Sequence, residues 1–586
     1  MKSLIIATSL IFLIFLNATS QSTGFEWAKG ITCSEEFSPS SVKTDSDGNI
    51  FIAGEFSGKA DLKTGENLLS IESQGYEDSF FLKYNSQGQL IWAKTIGGKY
   101  NAVCNDMVLD NHSNIYMTGR FTGKVDFDTG AGNYELDSNG GADLYIAKYD
   151  SDGAFLWAVR IGGDGLFNDG DDEGTSITID TENNILVTGW FQGTVDFNPG
   201  AGVHNLSTAR VSCFILKLST DGEFIWAEKI NSPNGGVEGH TIKTDTKNNV
   251  YVSGLFRAAT DFNPGEGTSI LEPAENYAAF LVKLDKNANF RWAIQPGGYA
   301  INTNLDKKRP FEIDSEGNII LAFDFSNTVD FNPKEEEALL TSDGIFTDLF
   351  IQKLDSLGNL LWVKQIGGPD NEDLGGLSID ENDNIYITGY YTGTVDFDPG
   401  TSTYELTAGN EWNIGLFIAK YSPEGNLIWA HPINWVENDG TFSYGYGNDI
   451  TTDIAGNVIS VGKFGGKYNF NPNGIPSVLS SADTEYSFSG YVIKLDGITT
   501  NINHFENDIS FSYYPNPFSD KITISGKVQF ENAKLWLRSV TGQTIIQKKN
   551  ISGNHIELNT GTMPAGIYFL EMKQKDAQFV VKVMKH

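Results

Sequence analysis

Two acidic stretches carry residue types that could hold a cation. Asp164-Gly165-Leu166-Phe167-Asn168-Asp169-Gly170-Asp171-Asp172-Glu173 and Pro369-Asp370-Asn371-Glu372-Asp373 each crowd several carboxylates into one short segment, and calcium favours several oxygen ligands on a loop. Asp169, Asp171, Asp172 and Glu173 are the weak metal candidates. Neither stretch matches an EF-hand loop, because no bidentate Glu follows at the required offset, and solvated acidic loops are the plainer reading. Calcium aside, no cofactor is expected. The seven histidines are scattered, and His-Glu-x-x-His, Gly-x-Ser-x-Gly and Cys-x-x-Cys are all missing, so zinc and nucleophilic chemistry find no support and no catalytic residue is assigned. A carboxylate pair for glycoside hydrolysis would be brought together in space, so abundance of acids is not a signal for it.

Other candidate residues recur. Trp27, Trp92, Trp157, Trp226, Trp292, Trp362 and Trp429 return every 65 to 70 residues within variants of Leu90-Ile91-Trp92-Ala93-Lys94. An exposed indole face would stack on a sugar ring, but these indoles are flanked by Ile, Leu and Ala, which fits core packing between units. The off-register Trp190, Trp412 and Trp435 are better placed for ligand contact. Lys83, Lys148, Lys217, Lys283, Lys353, Lys420 and Lys494 recur inside apolar runs, where a charge needs a partner. Asp61, Asp126, Asp196, Asp261, Asp330, Asp396 and Asn469 recur some 21 to 25 residues earlier, and pairing between the two series is expected. After that Asp come Phe127-Asp128-Thr129-Gly130, Phe197-Asn198-Pro199-Gly200, Phe262-Asn263-Pro264-Gly265 and Phe397-Asp398-Pro399-Gly400, which is turn chemistry with carboxylates that could also meet calcium.

Four short strands per unit would position these residues. The first full unit reads Val42-Lys43-Thr44-Asp45, Ile50 to Phe56, Phe80 to Tyr84 and the Trp92 run, separated by Asp/Asn/Ser/Gly turns as in antiparallel hairpins. Strands such as Phe214-Ile215-Leu216 are apolar on both faces, so both faces must be covered. Stacking blades radially achieves this, and propellers take about 4 to 8 of them. Second strands near Ile50, Ile115, Ile185, Val250, Ile319, Ile385 and Val458 count seven units. The seventh lacks its Trp strand, while residues 25–31 form an orphan one, so the chain ends are expected to pair and close the ring. Blade-to-blade loops and the loops after second strands would leave on one face, the candidate binding surface.

Composition sets the remaining bounds. The formal charge of −34 over 586 residues repels phosphate backbones and anionic lipid, which excludes nucleic-acid partners. Residues 1–20 read as a signal peptide, with Lys2, an apolar run from Leu4 to Leu16 and a small-residue end at Ala18-Thr19-Ser20. No later segment approaches the ~20 apolar residues of a spanning helix, so no transmembrane segment is expected in the mature protein. Three cysteines are too few for a disulfide framework. One bridge between Cys33 and Cys104 is conceivable, and Cys213 reads as an apolar filler.

The units, with Asp-x-x-Gly-Asn-Ile-Tyr-Ile-Thr-Gly, Phe-Ile-Ala-Lys-Tyr and Leu-Ile-Trp-Ala-Lys, resemble the bacterial SBBP β-propeller repeat over roughly residues 25–497. That resemblance implies a scaffold and no common activity. Residues 498–510 suit a linker. Residues 511–586 open on Tyr514-Pro515-Asn516-Pro517-Phe518, continue through Ala565-Gly566-Ile567-Tyr568 and end in a Lys-rich strand; they resemble the C-terminal sorting domain of type IX secretion substrates. Ser539 departs from the acidic or amide residue usual there. The resemblance implies the type IX machinery as a partner and a secreted or cell-surface location. The expectation is all-β: a signal peptide (1–20), a seven-bladed propeller of four-stranded antiparallel blades (21–497), a linker (498–510) and a small β-sandwich sorting domain (511–586). Its function is expected to be a binding scaffold for an unknown glycan or protein. The alternatives are a secreted glycosidase or lyase and a purely structural surface component.

Overall fold

The computed structural model describes residues 24–64, 67–163, 171–273, 277–297, 310–332, 337–343, 346–408, 413–436, 444–482, 487–497, 511–514, 518–539, 544–564, 566–574 and 577–585. The expected signal peptide and linker, together with Asp169 and Trp412, lie outside the described residues. The chain divides into one compact unit over Thr23–Ile498 and a second that contains Thr499–His586. No helix among the described residues is long and apolar enough to cross a membrane.

In the larger unit, Asp-x-x-(Gly/Asn)-Asn turns start the pattern. Asp45 Oδ1 accepts the N–H groups of Asp47 and Asn49, and Asn49 returns its amide to Asp45 Oδ2; Gly48 sits at φ 74° to complete the turn. Asp110, Asp180, Asp245, Asp314, Asp380 and Asp453 repeat the bonding. These side-chain bonds fix the hairpin before any tertiary contact forms. Strands Glu36–Thr44, Ile50–Ser57, Asp78–Tyr84 and Leu90–Gly98 pair in that order as the first blade. The same four-strand pairing order recurs seven times among the described strands; the first two sets join into one eight-stranded sheet, and arm strands extend the last two sets to six strands each. In the last, Tyr444–Thr452, Val458–Gly465 and Ser489–Asp496 are completed by Gly24–Cys33, with Trp27 opposite Lys494 and Ile31 opposite Gly490. The first strand of every blade lies beside that of the next, and Tyr444–Thr452 lies beside Glu36–Thr44, which closes the ring.

Three devices join the blades. Four of the recurring tryptophans rest closely on the next blade's last hairpin: Trp27 on Gly88, Trp92 on Gly153, Trp157 on Gly222 and Trp362 on Gly425, where a Cβ would meet the ring at 2.9 to 3.3 Å. These four indoles are packing residues. Next, the outer strand of one blade borrows the folded-back arm of its successor, as in Thr32 with Asp61, Gly97 with Asp126 and Asn434 with Asn469. The third device is the lysine series, and here the expected pairing is corrected. Lys217 meets Asp180 at 2.7 Å, Lys353 meets Asp314 and Lys494 meets Asp453 at 2.9 Å, all from first-hairpin turns. Lys494 also reaches the Ser86 carbonyl across the ring closure, and Lys83 that of Ser151. Asp126, Asp196, Asp261, Asp330, Asp396 and Asn469 instead accept N–H groups two and eight residues on, at 2.7 to 3.1 Å, and so shape their own arm. A turn aspartate already aimed at the strand end leaves the lysine no need of the arm residue.

The cysteine bridge is also corrected. All three cysteines are buried and none forms a disulfide; Cys33 Sγ contacts the Ser57 carbonyl at 3.1 Å, and Cys104 Sγ that of Asp106 at 3.7 Å. In the smaller unit, Phe511–Tyr514, Lys521–Ser539, Thr544–Asn559, Gly566–Gln574 and Ala577–Lys585 form one connected sheet. Bulges break the register of its two longest strands. Ile522, Ile524, Leu535, Leu537, Leu558 and Leu570 then share one core, so the expected sandwich is a single sheet folded over itself.

Candidate functional site

The site grows from a packing constraint repeated around the ring. The second strand of a blade carries a glycine whose Cβ would lie 1.9 to 2.2 Å from a first-strand carbonyl: Gly54 against Ser38, Gly119 against Val103, Gly189 against Glu173, Gly254 against Glu238, Gly389 against Asp373 and Gly462 against Tyr446. No side chain fits there, and the first strand bulges one residue later. The fifth blade has Phe323 in place of this glycine, and the next position lines the ring's centre in five blades. In chain order that position holds Glu55, Arg120, Trp190, Leu255, Asp324, Tyr390 and Lys463. Every neighbouring repeat position is nearly constant, whereas this one runs through acid, base, aromatic and aliphatic types.

Five of these residues line a central pocket of about 580 Å³, together with first-strand residues including Glu36, Asn105, Glu173, Glu238, His240, Asp373 and Tyr446. Its charges pair across blades. Arg120 meets Glu173 at 3.1 Å, Asn105 donates to the other Glu173 oxygen at 2.6 Å, and Lys463 pairs with Glu36. Glu238 takes Arg257 at 3.2 Å within its own blade. Tyr390 and Tyr446 meet edge to face at 5.3 Å, and Lys463 lies over the rings of Tyr446 and Phe488. Glu55 makes no ion pair with the described residues. Burial, reinforced by the Glu77 and Glu36 carboxylates and only partly offset by Lys463 and Arg120, pushes its pKa up to about 7.

The metal candidates scatter. Asp171 accepts the Ala142 N–H at 2.8 Å, Asp172 is buried and accepts the Gly163 and Gln192 N–H groups, and Glu173 turns into the central pocket. Burial, against relief from those two N–H groups and with Asp143 nearby, pushes Asp172 up to about 8. The second acidic stretch divides the same way, with Glu372 buried and Asp373 in the pocket. Among the described residues no group of three or more His, Cys, Asp or Glu is placed to hold a metal ion. The Asp128-Thr129-Gly130 turn departs from the rim expected for it: Thr129 Oγ1 donates to the Gly153 carbonyl at 2.7 Å, in the third hairpin of its blade. Of the off-register tryptophans, Trp190 lines the pocket, and Trp435 is packed between the sixth and seventh blades. The sequence reading missed Glu55, Arg120, Tyr390 and Lys463. Comparing the repeats with one another, and asking which position fails to repeat, would have found them.

With the geometry in hand, the comparisons with known proteins define the class. Residues 512–586 match the secretion system C-terminal sorting domain, and residues 361–393 match a beta-propeller repeat of the SBBP type. The chain therefore carries a β-propeller repeat and a type IX sorting tail; the tail indicates export to the cell surface or secretion and implies interaction with the secretion machinery. An uncharacterised WD repeat-containing protein of Acanthamoeba polyphaga mimivirus is 24% identical over 538 residues, covering 77% of this chain and 37% of the relative. The regulatory protein FlaEY of Caulobacter vibrioides is 26% identical over 211 residues, covering 36% of this chain and 20% of that protein. The match thus spans well under half the length of either relative. Among solved structures, a protein of unknown function from Bacteroides caccae aligns at 11% identity and a TM-score of 0.27, covering 64% of this chain and 93% of that one. The extracellular domain described as that of a hybrid two component system from B. thetaiotaomicron aligns at 10% identity and a TM-score of 0.18, covering 93% and 97%.

Proposed function

We propose that this exported propeller is a binding protein that takes part of a glycan into its central pocket. The observation that carries the reading is the convergence of Trp190, Tyr390 and Tyr446 with paired acids and bases on one mouth of about 580 Å³. Aromatic faces stack on the apolar face of a sugar ring, while the carboxylate, guanidinium and amide groups bond to its hydroxyls. The pairing of Arg120 with Glu173 holds those donors and acceptors in place before the ligand arrives, which lowers the ordering cost of binding. A glycan array probed with the mature chain, followed by calorimetry on any hit, tests it. Trp190→Ala is expected to weaken binding at least about tenfold with an unchanged melting temperature. No saturable glycan, as for a purely structural component, or equal affinity of the variant, overturns it.

A second reading, a secreted carbohydrate-active enzyme, is favoured by one observation: the unpaired Glu55, held near pKa 7 in an aromatic-lined pocket, has the poise of a general acid. New reducing ends released from a bound polysaccharide, and lost in Glu55→Gln, would select it over binding alone.

A further inference from the structure

Outside the central pocket, one buried polar side chain breaks the pattern of its repeat. The third-strand position occupied by Leu82, Ala147, Leu216, Val282, Ala419 and Ile493 in six blades holds Gln352 in the fifth. Gln352 is 0% exposed. Its amide Nε2 donates to the Phe331 carbonyl at 3.1 Å, while Oε1 has no hydrogen-bond partner among the described residues. The carbonyl acceptor fixes the orientation of the amide, since a flip would set oxygen against oxygen. Burying an amide oxygen unpaired is costly, and the other blades avoid that by placing an apolar residue here.

Gln352 lines a crevice of about 480 Å³ between the fourth and fifth blades, with Leu271, Ile294, Pro296, Phe331, Leu354 and Leu360 as its apolar wall. The space has a cause in the sequence. In the second blade, Tyr149 donates to the Phe127 carbonyl at 3.0 Å, and the Tyr134 ring packs on Phe155 at 4.8 Å. In the sixth, Tyr421 and Tyr404 stand in the same places. The fifth blade has Leu354 and Ala338 there, as the fourth has Leu284 and Ser269 and the seventh Leu495 and Ser477; the fifth differs in that Gln352 takes over the bond to the arm carbonyl. The crevice opens beside Ile270, which is 59% exposed.

We propose that this crevice is a second ligand site, which takes a compact molecule with an apolar ring and one N–H or O–H donor directed at Gln352 Oε1. The apolar wall gains by covering the ring, and the donor satisfies the buried oxygen that the fold leaves unpaired, once the Gln352 amide turns towards the crevice. A site built to bond a donor rejects the analogue that lacks it, because the protein oxygen then stays unpaired.

Indole and 1-methylindole test this, because methylation removes the donor and keeps the ring. Saturation-transfer NMR on the mature full chain is expected to show saturable indole binding, with 1-methylindole at least about tenfold weaker. Gln352→Leu, which restores the pattern of the other blades, should bind the two probes equally and melt no lower than the wild type. Leu354→Tyr, which refills the space as in the sixth blade, should bind neither. Trp190→Ala should keep the tenfold preference, which separates this crevice from the central pocket. Absence of saturation, as for a hydrated crevice only, overturns the proposal. So does equal binding of the two probes by the wild type, or a preference that survives both Gln352→Leu and Leu354→Tyr.

Discussion

Replacing Glu372 with Gln should stabilise the propeller at alkaline pH and do much less at acidic pH. Glu372 is fully buried where the fifth blade meets the sixth, and among the described residues its carboxyl has no well-formed hydrogen bond, only a weak approach of the Gly368 N–H. Burial, with the Asp348 carboxylate beside it and only partial relief from the Gly368 N–H, pushes its pKa from 4.5 up to about 9. A raised pKa in the folded state means that folding favours the protonated acid. Its contribution is fully present below the unfolded value near 4.5 and is lost as pH climbs towards 9. Each pH unit between those limits removes about 1.4 kcal/mol, so the three units from pH 5 to pH 8 remove about 4 kcal/mol. Glutamine is neutral in both states and escapes this term, while any packing cost of its amide is the same at both pH values and cancels. Urea unfolding of both proteins at pH 5 and pH 8, followed by tryptophan fluorescence, measures the difference. A Glu372→Gln effect that changes by less than about 1 kcal/mol between the two would refute the assigned protonation state.

Two further outcomes follow from the joints between blades. Lys217→Met leaves Asp180, itself buried, without its ion partner at 2.7 Å, and should cost about 3–5 kcal/mol in chemical denaturation; a loss under about 1 kcal/mol would show that the turn bonds alone satisfy the aspartate. Deleting Gly24–Cys33 bares the edge of Ser489–Asp496, which should lower the melting temperature and produce oligomers on gel filtration through edge pairing. A truncated chain that stays monomeric and melts as hot as the intact one would refute the closure.

Repetition made most of the fold legible. Turn aspartates, alternating short strands and the recurring tryptophan recur at one spacing, and the orphan strand around Trp27 matches the strand missing from the last unit. The same logic failed for the lysines, because two aspartates per repeat lie at compatible distances. Only the folding back of each arm, held by bonds such as Asp126 to Asp128 and Tyr134, removes one of them from reach. The acidic run Asp171-Asp172-Glu173 looked like one cluster because neighbours in sequence were taken as neighbours in space. Asp171 and Asp172 precede the strand Glu173–Ile179, and the three carboxylates meet three different surroundings: the Ala142 N–H, the Gly163 and Gln192 N–H groups, and the central pocket.

The sequence by itself determined the export tail, the blade unit and the closure of the ring, since each rests on local turn chemistry or on a period that any chain position reveals. Only the tertiary structure decided what the ring encloses. The residue after the second-strand glycine recurs some 65 to 73 positions apart along the chain, yet radial packing carries Glu55, Arg120, Trp190, Tyr390 and Lys463 to one pocket. Their combined chemistry exists only once the blades are arranged about a common axis.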